Sequence, residues 1–264
     1  VYPNLGFDTF TSMEYLQLTK KDYTPKNWVR DEALTKPIFN CLNSTEGQDF
    51  IFVVSVEGHG SYPNEVVTGM DEIKVTDKEE NEHLLATQYF TNVLADMDEW
   101  VGQLVNKLSA RDEETILVLY GDHLPSLGLQ EENVTSGDLM QTEYVIWNNM
   151  GLKFGDEDIE AFQLSTKIMG ALGIRDGVIN AYHQTHVKDD QKSYLNGLKN
   201  LEYDVLYGNK YAYGGINPYQ TSLMKFGIKD AKITGMTVET EMNLNTGEET
   251  NYLVVTGDNF TSWS

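Results

Sequence analysis

The residues best placed to do chemistry are Asp122 and His123, which lie side by side directly after an apolar run. Residues 115–120 are apolar or β-branched, a pattern typical of a buried strand, and Gly121 ends it. Open α/β sheets bind ligands beyond the carboxyl ends of their strands. A carboxylate beside an imidazole supplies two ligands for a divalent metal. A turn aspartate beside a surface histidine is the commoner origin of a bare Asp-His pair, but the strand, Gly121 and Pro125 favour the metal site.

His59 is the second residue with a functional setting. It follows the apolar residues 50–56, which predict a buried parallel strand, and it stands between two glycines. This strand, a long helix and the strand at 115–120 form a predicted βαβ unit, whose two loops open at the same edge of the sheet. We therefore expect His59 to converge with Asp122 and His123. Glu57 either joins them or is buried and hydrogen-bonded just below.

The remaining histidines and the hydroxyl side chains suggest no second site. His83 is predicted to lie on a solvated helix face. His183 and His186 have an i, i+3 spacing that suits a metal pair, but no third ligand is evident, so a polar surface is the prediction. No Ser, Thr or Cys has the strand-to-helix setting of an activated nucleophile. Cys41 is the single cysteine, which excludes an internal disulfide and favours packing as a small hydrophobe.

The elements around these residues predict an α/β fold with a mostly parallel sheet flanked by helices. A first helix is predicted from Asn27, as N-cap, to about Leu42, kinked or ended by Pro37. A long helix over residues 77–108, capped by Thr76 or Asp77, has apolar residues at i, i+3, i+4 and i+7. Further predicted elements are a strand at 143–147, a helix near 158–172, a helical stretch at 180–207, and strands at 232–242 and 251–256. The last two form a truncated hairpin, and we place a domain boundary between 1–228 and 229–264.

The composition narrows the possible partners. The chain has 264 residues, with 19 basic and 41 acidic residues and a formal charge of −22. Such a surface repels nucleic acid and anionic lipid headgroups, so neither is expected to bind directly. No run of 18 apolar residues is present, which predicts no membrane span within this sequence. Because the chain starts at Val1, we interpret it as a fragment whose anchors or targeting segments lie elsewhere.

Four motifs, in order and spacing, resemble the lipoteichoic acid synthase and phosphoglycerol transferase branch of the alkaline phosphatase-like (sulfatase-type) superfamily. The resemblance covers roughly residues 1–220. In sequence order, the motifs are Gly6-Phe7-Asp8-Thr9-Phe10, Val56-Glu57-Gly58-His59-Gly60-Ser61-Tyr62, Tyr120-Gly121-Asp122-His123-Leu124-Pro125 and Tyr144-Val145-Ile146-Trp147-Asn148-Asn149.

The resemblance implies a bacterial enzyme that transfers glycerol phosphate from a phosphatidylglycerol-type donor to a polymer or glycan. It implies a single divalent ion, Mn²⁺ or Mg²⁺, with Asp122 and His123 as metal ligands and His59 as the substrate-binding histidine. It also implies an enzyme at the extracellular face of a bacterial membrane, or secreted, with membrane contact only through N-terminal segments outside this sequence. The tail from about residue 229 resembles the start of an immunoglobulin-like module found on some relatives.

Several family residues have no counterpart in this sequence. The threonine nucleophile, one acidic metal ligand, and a substrate-contacting Trp and Arg precede the Gly-Phe-Asp motif in the family. We therefore predict that the isolated chain is catalytically inactive. Trp28 and Arg30 follow that motif and are not assigned to the family's Trp and Arg. In the histidine loop, Gly58 and Ser61 stand where Ser and Pro are more usual.

Two alternatives to a phosphoglycerol transferase stay open. One is a sulfatase or phosphodiesterase of the same superfamily, although such enzymes usually have further Asp and His ligands and this chain shows a single Asp-His pair. The other is a non-catalytic fragment that binds glycan through the aromatic stretch at 207–219, for which packing against the sheet is the simpler explanation.

Overall fold

A computed structural model of the chain describes residues 1–77, 81–227, 232–243 and 246–258. The described part contains five α-helices and six β-strands. The helices are α1 (Thr35–Leu42), α2 (Leu84–Ser109), α3 (Leu164–Ala171), α4 (Val178–His186) and α5 (Gln191–Leu206). The strands are β1 (Thr9–Phe10), β2 (Ile116–Tyr120), β3 (Tyr144–Asn148), β4 (Lys225–Phe226), β5 (Lys232–Met242) and β6 (Glu249–Asp258). Short 3₁₀ helices occupy Tyr2–Leu5, Met13–Leu16, Lys20–Asp22, Asp31–Leu34, Glu131–Asn133, Ala161–Gln163 and Tyr211–Tyr213.

The predicted α/β class is confirmed, together with the C-terminal hairpin. β1 pairs with β4 in parallel, and β5 pairs with β6 in an antiparallel hairpin. β2 pairs with β3. The backbone N–H of Gly121 donates to the carbonyl of Glu143, and that of Asn149 donates to the carbonyl of Thr115. Because these bonds join the end of one strand to the start of the other, β2 and β3 run in opposite directions.

The first helix begins later than the sequence predicted. Asn27 is not an N-cap: its φ of 66° places it in the turn that is closed by the antiparallel bridge between Tyr23 and Val29. The helical region starts with the 3₁₀ turn Asp31–Leu34 and continues into α1. Pro37 neither kinks nor ends α1, because it lies in the first turn, where a backbone N–H has no intrahelical partner to lose.

Two other predicted elements differ from the structure. Residues 50–56 have no strand assignment in the described part of the chain, and Phe50, Phe52 and Val54 are exposed. An apolar run shows that a segment suits a buried strand, but a strand also needs a neighbouring backbone, which the run does not specify. The long helix begins at Leu84 rather than near residue 77. Glu79 and Glu80, predicted for its first turn, lie outside the described residues.

Helix α2 organises the core of the region that contains His59. Tyr89 and Val93 of this helix pack with Met70, and Tyr62, Val67 and Met97 pack around that cluster. Farther along the same face, α2 buries Trp100, Leu104 and Leu108. The 3.6-residue periodicity seen in the sequence is therefore the core-facing stripe of this helix.

The chain divides into two compact units. The first comprises residues 1–113, 119–145 and 222–264, and the second comprises residues 114–118 and 146–221. Parts of β2 and β3 thus belong to each unit. The boundary predicted between 228 and 229 falls on residues outside the described part of the chain, and it stays a prediction.

In the second unit, helices α4 and α5 cross at a buried aromatic cluster. The prediction of a polar surface is wrong for His183, which is only 4% exposed. Its Nδ1 forms a hydrogen bond with the Tyr194 hydroxyl, and its ring stacks on Phe162. Burial lowers the pKa of His183. Its environment is therefore that of a neutral core histidine. Periodicity missed this because the apolar neighbours come from other segments.

None of the described helices combines the length and the apolar content needed to cross a membrane.

Candidate functional site

All three residues that the sequence singled out lie in the first unit. Asp122 and His123 follow β2 after one glycine, as predicted, and both are exposed. Gly121, which separates them from the strand, accepts a hydrogen bond from the Thr142 hydroxyl at 2.7 Å through its carbonyl. A Cβ at Gly121 would lie 3.4 Å from that of Thr142, so a larger residue would crowd this contact. The loop start is thereby tied to the segment that leads into β3.

The imidazole of His123 is oriented by its own loop. Its Nδ1 lies 2.8 Å from the carbonyl oxygen of Leu124. Since a carbonyl can only accept, Nδ1 has the proton, and the neutral ring keeps its lone pair on Nε2. This Nε2 lies 3.7 Å from Asp122 Oδ1. One carboxylate oxygen and one imidazole nitrogen are thus directed to a common space, and both are suitable ligands for a divalent ion.

These two donors alone are too few for a complete metal site. The described residues contain no group of three His, Cys, Asp or Glu side chains that could hold a metal ion. A catalytic metal usually has three or more protein ligands. Asp122 and His123 therefore fit a divalent ion only as members of a larger set.

The loop that contains His59 packs closely against core residues. The Tyr62 hydroxyl donates to the carbonyl of Gly58 at 2.8 Å, and the Tyr62 ring packs edge-on against Phe90 of α2. A Cβ at Gly58 would lie 3.1 Å from Met97 Sδ. The glycine at this position, where the family more often has serine, thus lets the loop approach α2 closely.

The imidazole of His59 is exposed and oriented in the same way as that of His123. Its Nδ1 lies 2.6 Å from the carbonyl oxygen of Gly60, which places the proton on Nδ1 and leaves Nε2 for a ligand. In the neutral ring this nitrogen can accept a proton from a hydroxyl, and in the charged ring it can donate to a phosphate oxygen. His59 is therefore equipped for either role.

Trp28 is a candidate site residue that the sequence reasoning missed. Its ring centroid lies 4.6 Å from that of His59, with the planes inclined at 48°. The family motifs give no role to Trp28, because it follows the Gly-Phe-Asp motif. Only the turn around Asn27 and the bridge between Tyr23 and Val29 bring it to the histidine loop. The one feature of the local sequence that could have drawn attention to Trp28 is that an aromatic residue stands two positions before an arginine.

Glu57 is buried below His59, which agrees with one of the two expectations from the sequence. It is 3% exposed, and its Oε2 accepts the backbone N–H of Asp31 at 2.7 Å. Its Oε1 accepts from Arg30 Nη1 at 3.3 Å. Burial raises the pKa of Glu57 to about 7. The hydrogen bond from the Asp31 N–H and the charge of Arg30 lower it, and the charges of Asp31 and Asp96 raise it. Glu57 is a candidate structural carboxylate rather than a ligand.

The convergence of His59 with the Asp-His pair stays a prediction. No hydrogen bond, ion pair or ring contact in the described part of the chain joins His59 to Asp122 or His123. The structure brings His59 together with Trp28, and Asp122 together with His123.

The raised pKa of Glu57 has a measurable consequence for stability. The unfolded chain keeps a pKa of 4.5 for this group, so between about pH 4.5 and 7 the folded protein binds the extra proton. The free energy of unfolding should therefore fall as the pH rises through this window, by at most about 1.4 kcal/mol per pH unit from one group. Glu57→Gln should lack this pH dependence. The difference in free energy of unfolding between the variant and the wild type should therefore shift in favour of the variant from pH 5 to pH 8.

Urea unfolding at several pH values measures this difference. Glu32→Gln is the matched control, because Glu32 is an exposed carboxylate that lines the same cavity as Glu57. A pH slope that is identical for the wild type and Glu57→Gln would contradict the assignment.

The comparisons with known proteins define the class. The sulfatase family profile matches residues 1–174, which is more than half of the chain. The chain therefore belongs to the sulfatase family, within the alkaline phosphatase-like superfamily that the motifs indicated.

Two individual proteins are similar to this chain. "Putative cyclic beta-1,2-glucan modification protein" of Rhizobium meliloti (strain 1021) is 31% identical over 165 residues, which cover 56% of this chain and 25% of the relative. The chain thus spans about a quarter of that curated relative. The structure of Streptococcus pyogenes phosphoglycerol transferase GacH in complex with sn-glycerol-1-phosphate matches with a TM-score of 0.58 at 20% identity. The match covers 74% of this chain and 53% of that one, and it establishes a phosphoglycerol transferase-like fold.

Proposed function

We propose that the intact protein is a divalent-metal-dependent phosphoglycerol transferase. It moves glycerol phosphate from a phosphatidylglycerol-type donor to a polymer or glycan acceptor. The observation that carries the proposal is the exposed His59, oriented through Nδ1 and in contact with Trp28, in a sulfatase-family chain with this fold. The complex of the similar GacH structure with sn-glycerol-1-phosphate supports the choice of substrate class.

His59 and Trp28 are assigned to the glycerol phosphate. The Nε2 atom of His59 donates to a phosphate oxygen or accepts the proton of an attacking hydroxyl, according to the charge of the ring. The Trp28 ring provides an apolar wall beside it, against which the glycerol carbons pack. The strong negative charge of the chain adds nothing favourable for a phosphate, so local donors must supply the attraction.

Asp122 and His123 are assigned to a single Mn²⁺ or Mg²⁺ ion. The ligand atoms are a carboxylate oxygen of Asp122 and Nε2 of His123, because Nδ1 of His123 is already bonded to Leu124. When bound, such an ion supplies positive charge to a phosphoryl oxygen. Superfamily members use divalent ions, which agrees with these donors.

The remaining parts of the active site are assigned to polypeptide outside these 264 residues. These are the threonine nucleophile and a further acidic metal ligand. The coverage of about a quarter of the curated relative and about half of the GacH chain agrees with this division. In the same proposal, the intact protein acts at the extracellular face of a bacterial membrane or is secreted.

The proposal is tested by the release of diacylglycerol from a fluorescent phosphatidylglycerol, with Mn²⁺ present. We expect turnover by the intact protein and none by the 264-residue chain alone. His59→Ala in the intact protein should lower kcat/KM at least about 100-fold, because it removes a group that acts on the reacting phosphate. His83→Ala is the matched control, since His83 is a partly exposed histidine of the same unit.

Three outcomes would overturn the proposal. Turnover by the isolated chain would show that no outside residues are needed. Full activity of His59→Ala would remove His59 from the site. Faster cleavage of an aryl sulfate or a simple phosphodiester than of phosphatidylglycerol would favour the sulfatase or phosphodiesterase alternative.

A further inference from the structure

The contact between Trp28 and His59 joins two segments that have no helix or strand of their own at these residues. Trp28 follows the turn at Asn27, and His59 lies in the loop after residues 50–56. A ring contact between two such segments is worth about 1 kcal/mol, too little to fix their relative position without other bonds. The bonds that join the two segments lie directly below, at Glu57.

Glu57 connects the two segments through both its side chain and its backbone. Its Oε2 accepts the backbone N–H of Asp31 at 2.7 Å, and its own N–H donates to Asp31 Oδ1 at 3.4 Å. Its Oε1 accepts from Arg30 Nη1 at 3.3 Å. Glu57 and Asp31 are both almost fully buried, so these bonds are shielded from water and are costly to leave unmade.

Helix α2 completes the arrangement. Arg30 also donates from Nη1 to Asp96 of α2, so one guanidinium bridges the histidine loop and the helix. Two carboxylates, those of Glu57 and Asp96, therefore share one arginine. A cavity opens beside it and is lined by Arg30, Glu32, Glu57, Asp96, Glu99, Trp100 and Gln103.

We propose that Glu57 is a positioning residue whose carboxylate ties the segment of Arg30 and Asp31 to the histidine loop, and so holds the Trp28 ring against His59. Glu57 does not touch the ligand itself. The inference rests on the proposed function only in giving His59 and Trp28 a substrate; the contact between them is a feature of the structure.

The arrangement responds to pH near neutrality. The pKa of Glu57 is about 7, because burial and the nearby charges of Asp31 and Asp96 outweigh the hydrogen bond from the Asp31 N–H and the attraction of Arg30. Above this value the ionised carboxylate forms both the hydrogen bond to Asp31 and the ion pair with Arg30. Below it the neutral carboxyl loses the ion pair, and Arg30 stays with Asp96. The contact between Trp28 and His59 should therefore be tightest above pH 7.

The test is NMR of the histidine Cε1–Hε1 groups, with the His59 signal assigned by its loss in His59→Ala. At each pH, the part of the His59 shift that comes from the Trp28 ring is the difference between the wild type and Trp28→Leu. This ring-dependent part should be upfield, and it should grow with a midpoint near pH 7. In Glu57→Gln we expect most of that part to be lost and the pH step to disappear, whereas Glu32→Gln should resemble the wild type.

Affinity for sn-glycerol-1-phosphate is measured on the intact protein in parallel. Loss of the fixed contact should raise the Kd for this probe about tenfold in Glu57→Gln at pH 8. If the NMR changes occur but no glycerol phosphate binds to the wild type, the positioning role stands and the proposed function fails. If Glu57→Gln keeps the wild-type His59 signal and its pH step, the positioning role is wrong.

Asp96→Asn is a second variant that tests the positioning role even if Glu57→Gln does not fold. Asp96→Asn changes a half-exposed residue of α2, and it removes one of the negative charges that face Glu57. It also leaves Arg30 to Glu57 alone. Both effects favour the ionised form of Glu57, so the midpoint of the His59 pH step should move to lower pH. An unchanged midpoint in Asp96→Asn would overturn the proposal.

Discussion

Asp122→Asn and His123→Ala in the intact protein should each weaken Mn²⁺ binding by at least about 100-fold. Loss of an outer-sphere partner of a metal ligand already costs about 10- to 100-fold, and here a proposed ligand itself is lost. The effect should be large because the described residues offer no third His, Cys, Asp or Glu nearby as a substitute. For His123, the bond from Nδ1 to Leu124 leaves Nε2 as the proposed ligand atom, and alanine removes both nitrogens.

Isothermal titration with Mn²⁺ measures the affinity, and elemental analysis measures the bound metal. Asp156→Asn is a matched control, since it removes the same charge from an exposed aspartate in the second unit. His59→Ala should keep the metal and lose turnover, which separates ligand from substrate residues. Wild-type metal content in both Asp122→Asn and His123→Ala would show that the metal site lies elsewhere.

Gly197→Ala should destabilise the second unit by about 1–3 kcal/mol, the usual cost of overpacking a core. A Cβ at Gly197 would lie 2.0 Å from the Tyr182 hydroxyl oxygen and 2.7 Å from the ring carbon that bears it. Tyr182 cannot move aside without loss. Its hydroxyl donates to the carbonyl of Tyr194, and its ring stacks on His186 at 4.3 Å.

Gly102→Ala is the matched control, because Gly102 is also an interior helix glycine and a Cβ there would have nothing within 4 Å. At this position the substitution should raise the free energy of unfolding by up to about 1 kcal/mol, through the better helix propensity of alanine. Urea unfolding of both variants gives the comparison. Equal effects of the two substitutions would contradict the close approach of α4 and α5 at Gly197.

The fate of individual elements shows what could be predicted from sequence. The strand before Asp122, the helix with Val93 and Leu104 on one face, and the C-terminal hairpin were predicted from periodicity and are present. Each depends on contacts between residues close in sequence or on one amphipathic face, which a local pattern records. The predicted strand at 50–56 failed because strand formation requires a partner backbone, which a local pattern does not specify.

The candidate site divides in the same way. The types and spacing of Asp122, His123 and His59 were enough to select them as candidates. A strand end and a glycine mark the loop of Asp122 and His123 locally, and flanking glycines mark that of His59. Trp28 has no such local mark, and the two expectations for Glu57 could not be separated. Both depend on a contact between segments that are distant in the chain.

The sequence by itself determined the α/β class, the family motifs, and the identity of the metal- and substrate-binding candidates, since these follow from residue types and short-range spacing. Only the tertiary structure decided that Trp28 packs on His59, that His183 is a core residue, and that Glu57 is buried between Arg30 and Asp31. The physical reason is that burial and charge pairing depend on which distant segments of the chain come into contact. The residues next to a side chain in the sequence do not specify these contacts.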